Sequence, residues 1–206
     1  MRIVAHRDGA DAEAWLTYGL ADVVNQRRMI DEGAASDDFK RVQRTKLDAL
    51  LALAEAHDCR RVRLLAYFGE HSEPCGNCDL CDTPPETFDA TQPVRMALSA
   101  ILRTGEWFGQ GHIIDVLTGT ATDKVTQRGH DRLPTFGVGK DTPRPQWQAI
   151  LRQMLGRDLI RPDPERHGGL RITAAAHPVL RGEENITLRR DLIARARPAT
   201  VVRTQV

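Results

Sequence analysis

The chain has 206 residues, of which 41% are hydrophobic and 28% charged, with four cysteines and a net charge of +1. Such a composition is too apolar for a disordered chain, no run nears the ~20 apolar residues of a membrane helix, and the length suffices for one large or two small domains with cores of their own. The near-neutral total conceals an asymmetry: residues 1–92 hold 11 Lys+Arg against 17 Asp+Glu, and the remainder 18 against 11, so that −6 faces +7. A basic second half suits a polyanionic partner, or it is a solvated face and nothing more.

From Asp11 to Tyr18 the run AEAWLTY, with Trp15, Leu16 and Tyr18, reads as a strand. No further strand-like run follows for well over a hundred residues. A lone strand cannot satisfy its backbone donors, so it is expected to be an orphan edge or the remnant of a sheet lying outside the chain. A helix follows over 21–32, ending at Gly33, and a second starts near Ser36 or Asp37 and runs to about His57. Phe39, Val42, Leu47, Leu50, Leu51 and Ala54 recur along it at three and four. A third helix, about 60–68, is expected to turn Val62, Leu64, Leu65 and Phe68 inward and Arg60, Arg61 and Arg63 outward.

All four cysteines fall within the next stretch: Cys59, then Cys75, Cys78 and Cys81 in CGNCDLC. Two C-x2-C steps share Cys78, and a closed tetrahedron of thiolates is what zinc prefers. Gly76 and Asn77 can take left-handed backbone angles, and Pro74 stiffens the entry. A thioredoxin-like motif would leave two cysteines over and needs a βαβ context; disulfides would need an oxidising compartment, and MRIVAHRDGADAEAW carries no apolar signal segment. A structural zinc is therefore expected, with no open position for catalysis and with His57 and His71 outside the ligand set. It would clamp a helix junction to the knuckle and contribute to folding outright.

DTPPETFDATQP, after Cys81, reads as a linker. Val94, Ala97, Leu98, Ile101 and Leu102 then form one helical stripe, a short helix covers about 111–117, and a Gly-rich loop leads to Trp147, Ile150, Leu151, Met154 and Leu155. Thr142 is the best cap for that last helix, with Pro143 and Pro145 tolerated in its first turn. Gln148, Arg152 and Gln153 are expected on its outer face. Strands near 158–162 and 169–173, joined by DPERHGG, and a helix ending by Gly182 complete the order of a winged helix, which serves DNA binding or protein docking. In GHDRLPTFGVGK, Gly137 and Gly139 permit close backbone approach, either to DNA phosphate or merely within a tight turn. The candidate DNA contacts are Arg132, Lys140, Arg144 and Arg152, with His167 at the wing tip. The expected class is mainly α: a zinc-clamped helical subdomain followed by a winged-helix domain of three helices and a two-stranded wing.

Four strings, CRRVRLLAYFGE, EPCGNCDLC, GHDRLPTFGVGKD and HPVLRGE, together resemble the RecQ family of DNA helicases over about residues 7–188. The resemblance implies that Cys59, Cys75, Cys78 and Cys81 bind one zinc and that the winged helix grips duplex or forked DNA. It also implies a division into a remnant of the second motor domain (1–20), a zinc-binding subdomain (21–92), a winged helix (93–188) and a tail (189–206). ATP and Mg²⁺ would belong to the motor domains: G-x-x-x-x-G-K-[ST] does not occur, so no independent ATP hydrolysis is expected. Implied partners are DNA, the motor domains and other repair proteins, in replication, recombination and repair, at a cytoplasmic or, in a bacterium, nucleoid location. The competing readings are a zinc-bearing winged-helix transcriptional regulator and a protein-interaction module. In some members of the family the wing bears an aromatic wedge, where this chain has only His167.

Overall fold

The computed structural model describes residues 2–7, 10–166 and 168–190, with side chains from Leu16 onward apart from that of Pro164. It opens with an antiparallel hairpin, β1 (Arg2–Arg7) against β2 (Ala10–Trp15), in register from Arg2 opposite Trp15 to Arg7 opposite Ala10. The strand expected to be an orphan thus has a partner, and the partner precedes it. The sequence does carry the sign, since an Asp-Gly pair between two short runs is a strong hairpin signal. Leu16 and Tyr18 lie beyond the strand.

Helix α1 (Leu20–Glu32) is followed by α2 (Asp37–Ala54), which Ser36 caps by accepting the Phe39 N–H at 3.4 Å. α2 ends three residues sooner than expected because the Arg60 guanidinium takes its last carbonyls, donating to Leu53 O at 2.6 Å and Ala54 O at 3.3 Å. Arg60, expected outward at the start of α3 (Arg60–Tyr67), is therefore only 2% exposed. Phe68, expected inward, is 69% exposed, and Leu64 also faces out. The core reaches α2 only toward its C-terminal end, at Leu47, Leu51 and Ala54, which leaves Phe39, Val42 and Leu50 of the expected stripe exposed.

A one-turn helix, α4 (Asp79–Asp82), closes the cysteine loop. The segment expected to be a linker instead holds β3 (Thr87–Asp89) and the first turn of α5 (Thr91–Arg103). β3 pairs with β6 (Thr187–Arg189), Phe88 opposite Leu188. A three-residue strand whose partner lies about a hundred residues away has no local signature. Pro93 fits the first helical turn, where its missing N–H has no intrahelical acceptor.

α5, α6 (Gln110–Thr118) and α8 (Arg144–Gly156) form the three-helix core, with a wing of β4 (Ile160–Asp163) and β5 (Gly169–Ile172) in register from Ile160 opposite Ile172. α7 (Asp123–Gln127) and a 3-10 turn (His130–Arg132) interrupt the Gly-rich loop, a second such turn (Pro164–Arg166) lies between the wing strands, and α9 (Ala176–Arg181) stops at Gly182 in the left-handed region. Val94, Ala97, Leu98 and Ile101 interlock with Ile113, Leu117, Trp147 and Leu151, all fully buried, whereas Leu102 turns out to solvent. Burying the ~150–250 Å² of an indole such as Trp147 contributes roughly 4–6 kcal/mol before conformational entropy. Its N–H donates to Gly139 O at 3.0 Å, so no polar atom of that ring goes unmatched. α8 begins after Pro143, one residue beyond the expected Thr142 cap.

Of the α8 residues expected to look outward, Gln148 does, whereas Arg152 and Gln153 are turned against the end of α2 and against β6. Gln153, 3% exposed, exchanges two 2.9 Å hydrogen bonds with the backbone of Arg189. Arg152 donates to Glu55 Oε1 at 2.8 Å, Arg189 donates to Glu55 Oε2 at 3.0 Å, and the Tyr18 hydroxyl donates to the same carboxylate. Burial and Glu55 together hold the Tyr18 phenol protonated, well above its ordinary range. One carboxylate thus fastens together the exit of the hairpin, the end of α2, α8 and β6.

Candidate metal centre and nucleic-acid interface

Cys59 ends the turn before α3, Cys75 lies in the long loop, Cys78 precedes α4 and Cys81 sits on it. The Cys78 carbonyl accepts the N–H groups of Cys81 (3.0 Å) and Asp82 (2.9 Å), so the second C-x2-C step is a helical turn that puts both sulfurs on one side. Gly76 adopts φ +69, as its place in the knuckle requires; Asn77 does not take the left-handed angle expected of it. Arg60 aligns the two halves, holding Asp79 through bonds of 2.6 and 3.0 Å while its third nitrogen ties down α2.

The four Sγ atoms all lie within 4.8 Å of one another, and Cys75 Sγ to Cys81 Sγ is 4.0 Å. A tetrahedral zinc with ~2.3 Å bonds sets its sulfurs about 3.8 Å apart, so the donor set fits in identity, number and spacing. Burial opposes ionisation of Cys59, but the N–H groups of Cys75 and Val62 and the neighbouring thiols outweigh it and bring it down to about 6. The Gly76 N–H favours the Cys81 thiolate, yet burial and the other three sulfurs push this thiol up to about 12. Four sulfurs this close cannot all ionise without a cation among them. His57 and His71 are exposed and outside the group.

In FGVGK, Gly137 (φ +75) donates its N–H to Val116 O and Gly139 to Leu117 O, each at 2.8 Å. These donors are consumed by α6 and cannot cradle phosphate. A Cβ on Gly139 would stand 2.3 Å from the Trp147 ring, so glycine is needed there for packing. The tight-turn alternative is the one that holds, and what the loop offers outward is side-chain charge. Arg132, Lys140 and Arg144 are all exposed. Each is fastened to α6 through a neighbour or directly: His130 contacts His112 at 2.7 Å, Gly139 bonds Leu117, and Arg144 pairs with Asp115 at 2.6 Å. Arg152 does not join this group, being engaged by Glu55, and His167 lies outside the described residues.

The His112–His130 pair carries a detail of its own. Burial, then His130 and Lys124, push His112 down to about 4, and burial with Arg128 lowers His130. Both rings are neutral at pH 7. His112 Nδ1 is buried without a partner among the described residues, so we assign the ring proton to Nε2, from which it is donated to His130 Nδ1. The candidate residues named from sequence did not include Trp107 and Phe108, whose signal was available as an aromatic pair between Gly105 and Gly109 in an interhelical loop. They also did not include Glu55 and Arg189, which have no local signal.

The RecQ zinc-binding family matches residues 20–82 and the RQC domain matches residues 84–197. The ATP-dependent DNA helicase RecQ of Haemophilus influenzae is 36% identical over 186 residues, covering 89% of this chain and 30% of the relative. Its counterpart in Pasteurella multocida is 36% identical, with 89% and 29% covered. That of Bacillus subtilis is 28% identical over 193 residues, with 93% and 32% covered. The chain therefore spans about 30% of the length of these curated relatives. With a cysteine tetrad in the stretch matched by the zinc-binding family, and a three-helix core and wing filling an RQC match that takes in more than half of its residues, the chain belongs to the RecQ helicase family.

Proposed function

We propose that this chain is the zinc-binding and duplex-gripping part of a RecQ-type 3′-to-5′ helicase, acting in replication, recombination and repair without chemistry of its own. Cys59, Cys75, Cys78 and Cys81 hold one zinc that orders the helix junction and does not take part in a reaction. ATP and Mg²⁺ serve the motor domains, of which residues 1–20 are the trailing edge; the zinc unit runs from 21 to 86 and the winged helix from 87 to 190, because the expected boundaries at 92/93 and 188/189 would cut through α5 and β6 and part β3 from its partner. The working location is the cytoplasm, at the nucleoid if the cell is bacterial.

The observation that carries this reading is the set of exposed cations Arg132, Lys140 and Arg144, all anchored to α6 on the basic half of the chain. A grip made by such side chains neutralises phosphates and is nearly indifferent to base sequence. The C-terminal half of the outer face of α8 is occupied, with Gln153 and Arg152 committed to Arg189 and Glu55, which counts against a regulator that reads a site by laying the length of this helix in the major groove.

Band shifts with fork, blunt duplex and single strand across a salt series test it. Lys140→Ala with Arg144→Ala should weaken fork and random duplex alike and flatten the slope of log affinity against log salt by roughly two units. An unchanged slope would leave the basic surplus a solvated face and favour protein docking instead.

A further inference from the structure

We propose that the Trp107 ring is a stacking site for one unpaired base of single-stranded DNA, mounted beside the turn of the wing. The proposal rests on the DNA-binding reading above and names a second mode of contact within it. Trp107 is 59% exposed, yet its backbone is held on every side. Gly105 (φ +75) and Glu106 (φ +61) turn the chain through two successive left-handed residues, the second of them not a glycine. Glu106 is fixed in that conformation by accepting the Ile172 N–H at 2.8 Å, and Phe108 O accepts the Leu170 N–H at 3.0 Å. Gly169 presses so close that a Cβ there would lie 2.8 Å from the Trp107 carbonyl carbon. The loop is thus laid along β5 as far as main-chain contact allows, and the indole is the part left facing water.

The cations around the ring give it a direction. The Arg166 guanidinium lies over the indole at 4.5 Å from its centre, steadied by Asp163 at 3.5 Å and by the carbonyls of Gly105 and Glu106 at 3.4 Å. A guanidinium backing the ring fixes its orientation and leaves the remaining surface to a second flat partner. The neighbouring Phe108 has Lys124 Nζ at 5.3 Å and Arg128 Cζ at 6.0 Å from its ring centre. Aromatic rings interleaved with cations are how proteins hold single strands without regard to sequence: the bases stack and the phosphates are neutralised. The nearby acids do not reverse this, since Glu106 is bonded to Ile172 and Asp163 is shared by Arg166 and Arg171. An apolar protein patch would take Trp107 but would strand these charges. A nucleotide satisfies both.

Binding of the full chain to labelled oligo-dT and to blunt duplex, read by fluorescence anisotropy, tests the site, with Trp107→Ala and Trp107→Phe compared. The alanine variant should weaken oligo-dT about tenfold and leave blunt duplex within about twofold, while phenylalanine keeps most of the affinity. Oligo-dT should also quench the indole emission of the wild-type chain, and that quench should vanish in Trp107→Ala. An unchanged oligo-dT affinity in the alanine variant overturns the site, as does an equal loss on duplex. If the wild-type chain binds duplex with a steep salt dependence but ignores oligo-dT, the stacking site alone falls. If it binds neither, the DNA reading falls and takes the site with it. An unchanged thermal midpoint in both variants confirms that the exposed ring carries no folding load.

Discussion

Replacing Glu55 should be strongly destabilising. Its side chain is 3% exposed and accepts from Arg152, Arg189 and Tyr18. Removing one member of a buried ion group costs about 3–5 kcal/mol, mostly because the remaining charges keep their desolvation and lose their partner. With a urea dependence of about 2 kcal/mol per molar, usual for small proteins, the midpoint of Glu55→Ala should fall by about 2 M, read by far-UV circular dichroism. Tyr18→Phe removes a single hydrogen bond and should cost only about 1–2 kcal/mol. The pair Glu55→Ala and Arg152→Ala should be less than additive by at least about 1 kcal/mol, since either change alone already breaks the contact. Arg152→Ala should leave the salt slope of DNA binding unchanged, because its guanidinium is turned inward onto the buried Glu55, whereas Arg144 beside Asp115 keeps about half its side chain in solvent. A loss below about 1 kcal/mol for Glu55→Ala, or strict additivity with Arg152→Ala, would refute the idea that this carboxylate binds the two halves together.

Three further outcomes are expected. Metal analysis of protein purified without chelator should return one zinc per chain, with Cys78→Ser losing it; less than half an equivalent in the parent protein would be decisive against the tetrad. Gly139→Ala should cost at least about 1–3 kcal/mol by thermal or urea unfolding, because the added carbon meets the Trp147 ring, which has nowhere to move, and a neutral result would mean the FGVGK loop is freer than its bonds to α6 imply. The His112–His130 pair should make stability fall with acid. Folding holds His112 down to about 4, so the unfolded chain takes up the proton first as pH drops below ~6.5, and stability present above that value is lost from there toward about 4. We expect roughly 2 kcal/mol of that slope to disappear in His112→Gln, after allowance for screening; a variant curve parallel to the parent would remove the pair from the account.

What could be read from the sequence follows the range of the interactions involved. The α5 and α8 stripes were legible because period-3.6 burial is written in consecutive residues, and the tetrad because three of its sulfurs fall within seven positions. Arg60 was misplaced because charge alone said solvent, while its partners, the last carbonyls of α2 and Asp79, are set by a fold that no local pattern encodes. Arg152 and Gln153 were misread for the same reason, since the surface of α8 opposite Trp147 is outer only until α2 is laid against it. β3 escaped notice because Thr87, Phe88 and Asp89 become a strand only through residues 187–189. The glycines of FGVGK were legible as a close approach, though the approaching body proved to be α6 and an indole.

The β3–β6 clip has a mechanical consequence. Thr87 lies opposite Arg189, so the chain enters and leaves the winged helix side by side at one end of a three-rung ladder. Tension applied through the flanking segments would draw these ends apart and open the rungs one after another, as a zipper opens, rather than shearing all of them together. The first rung is also the one that Gln153 and Glu55 hold through Arg189, so the ladder would part only once those contacts had broken, and the load would pass into α8 and the end of α2.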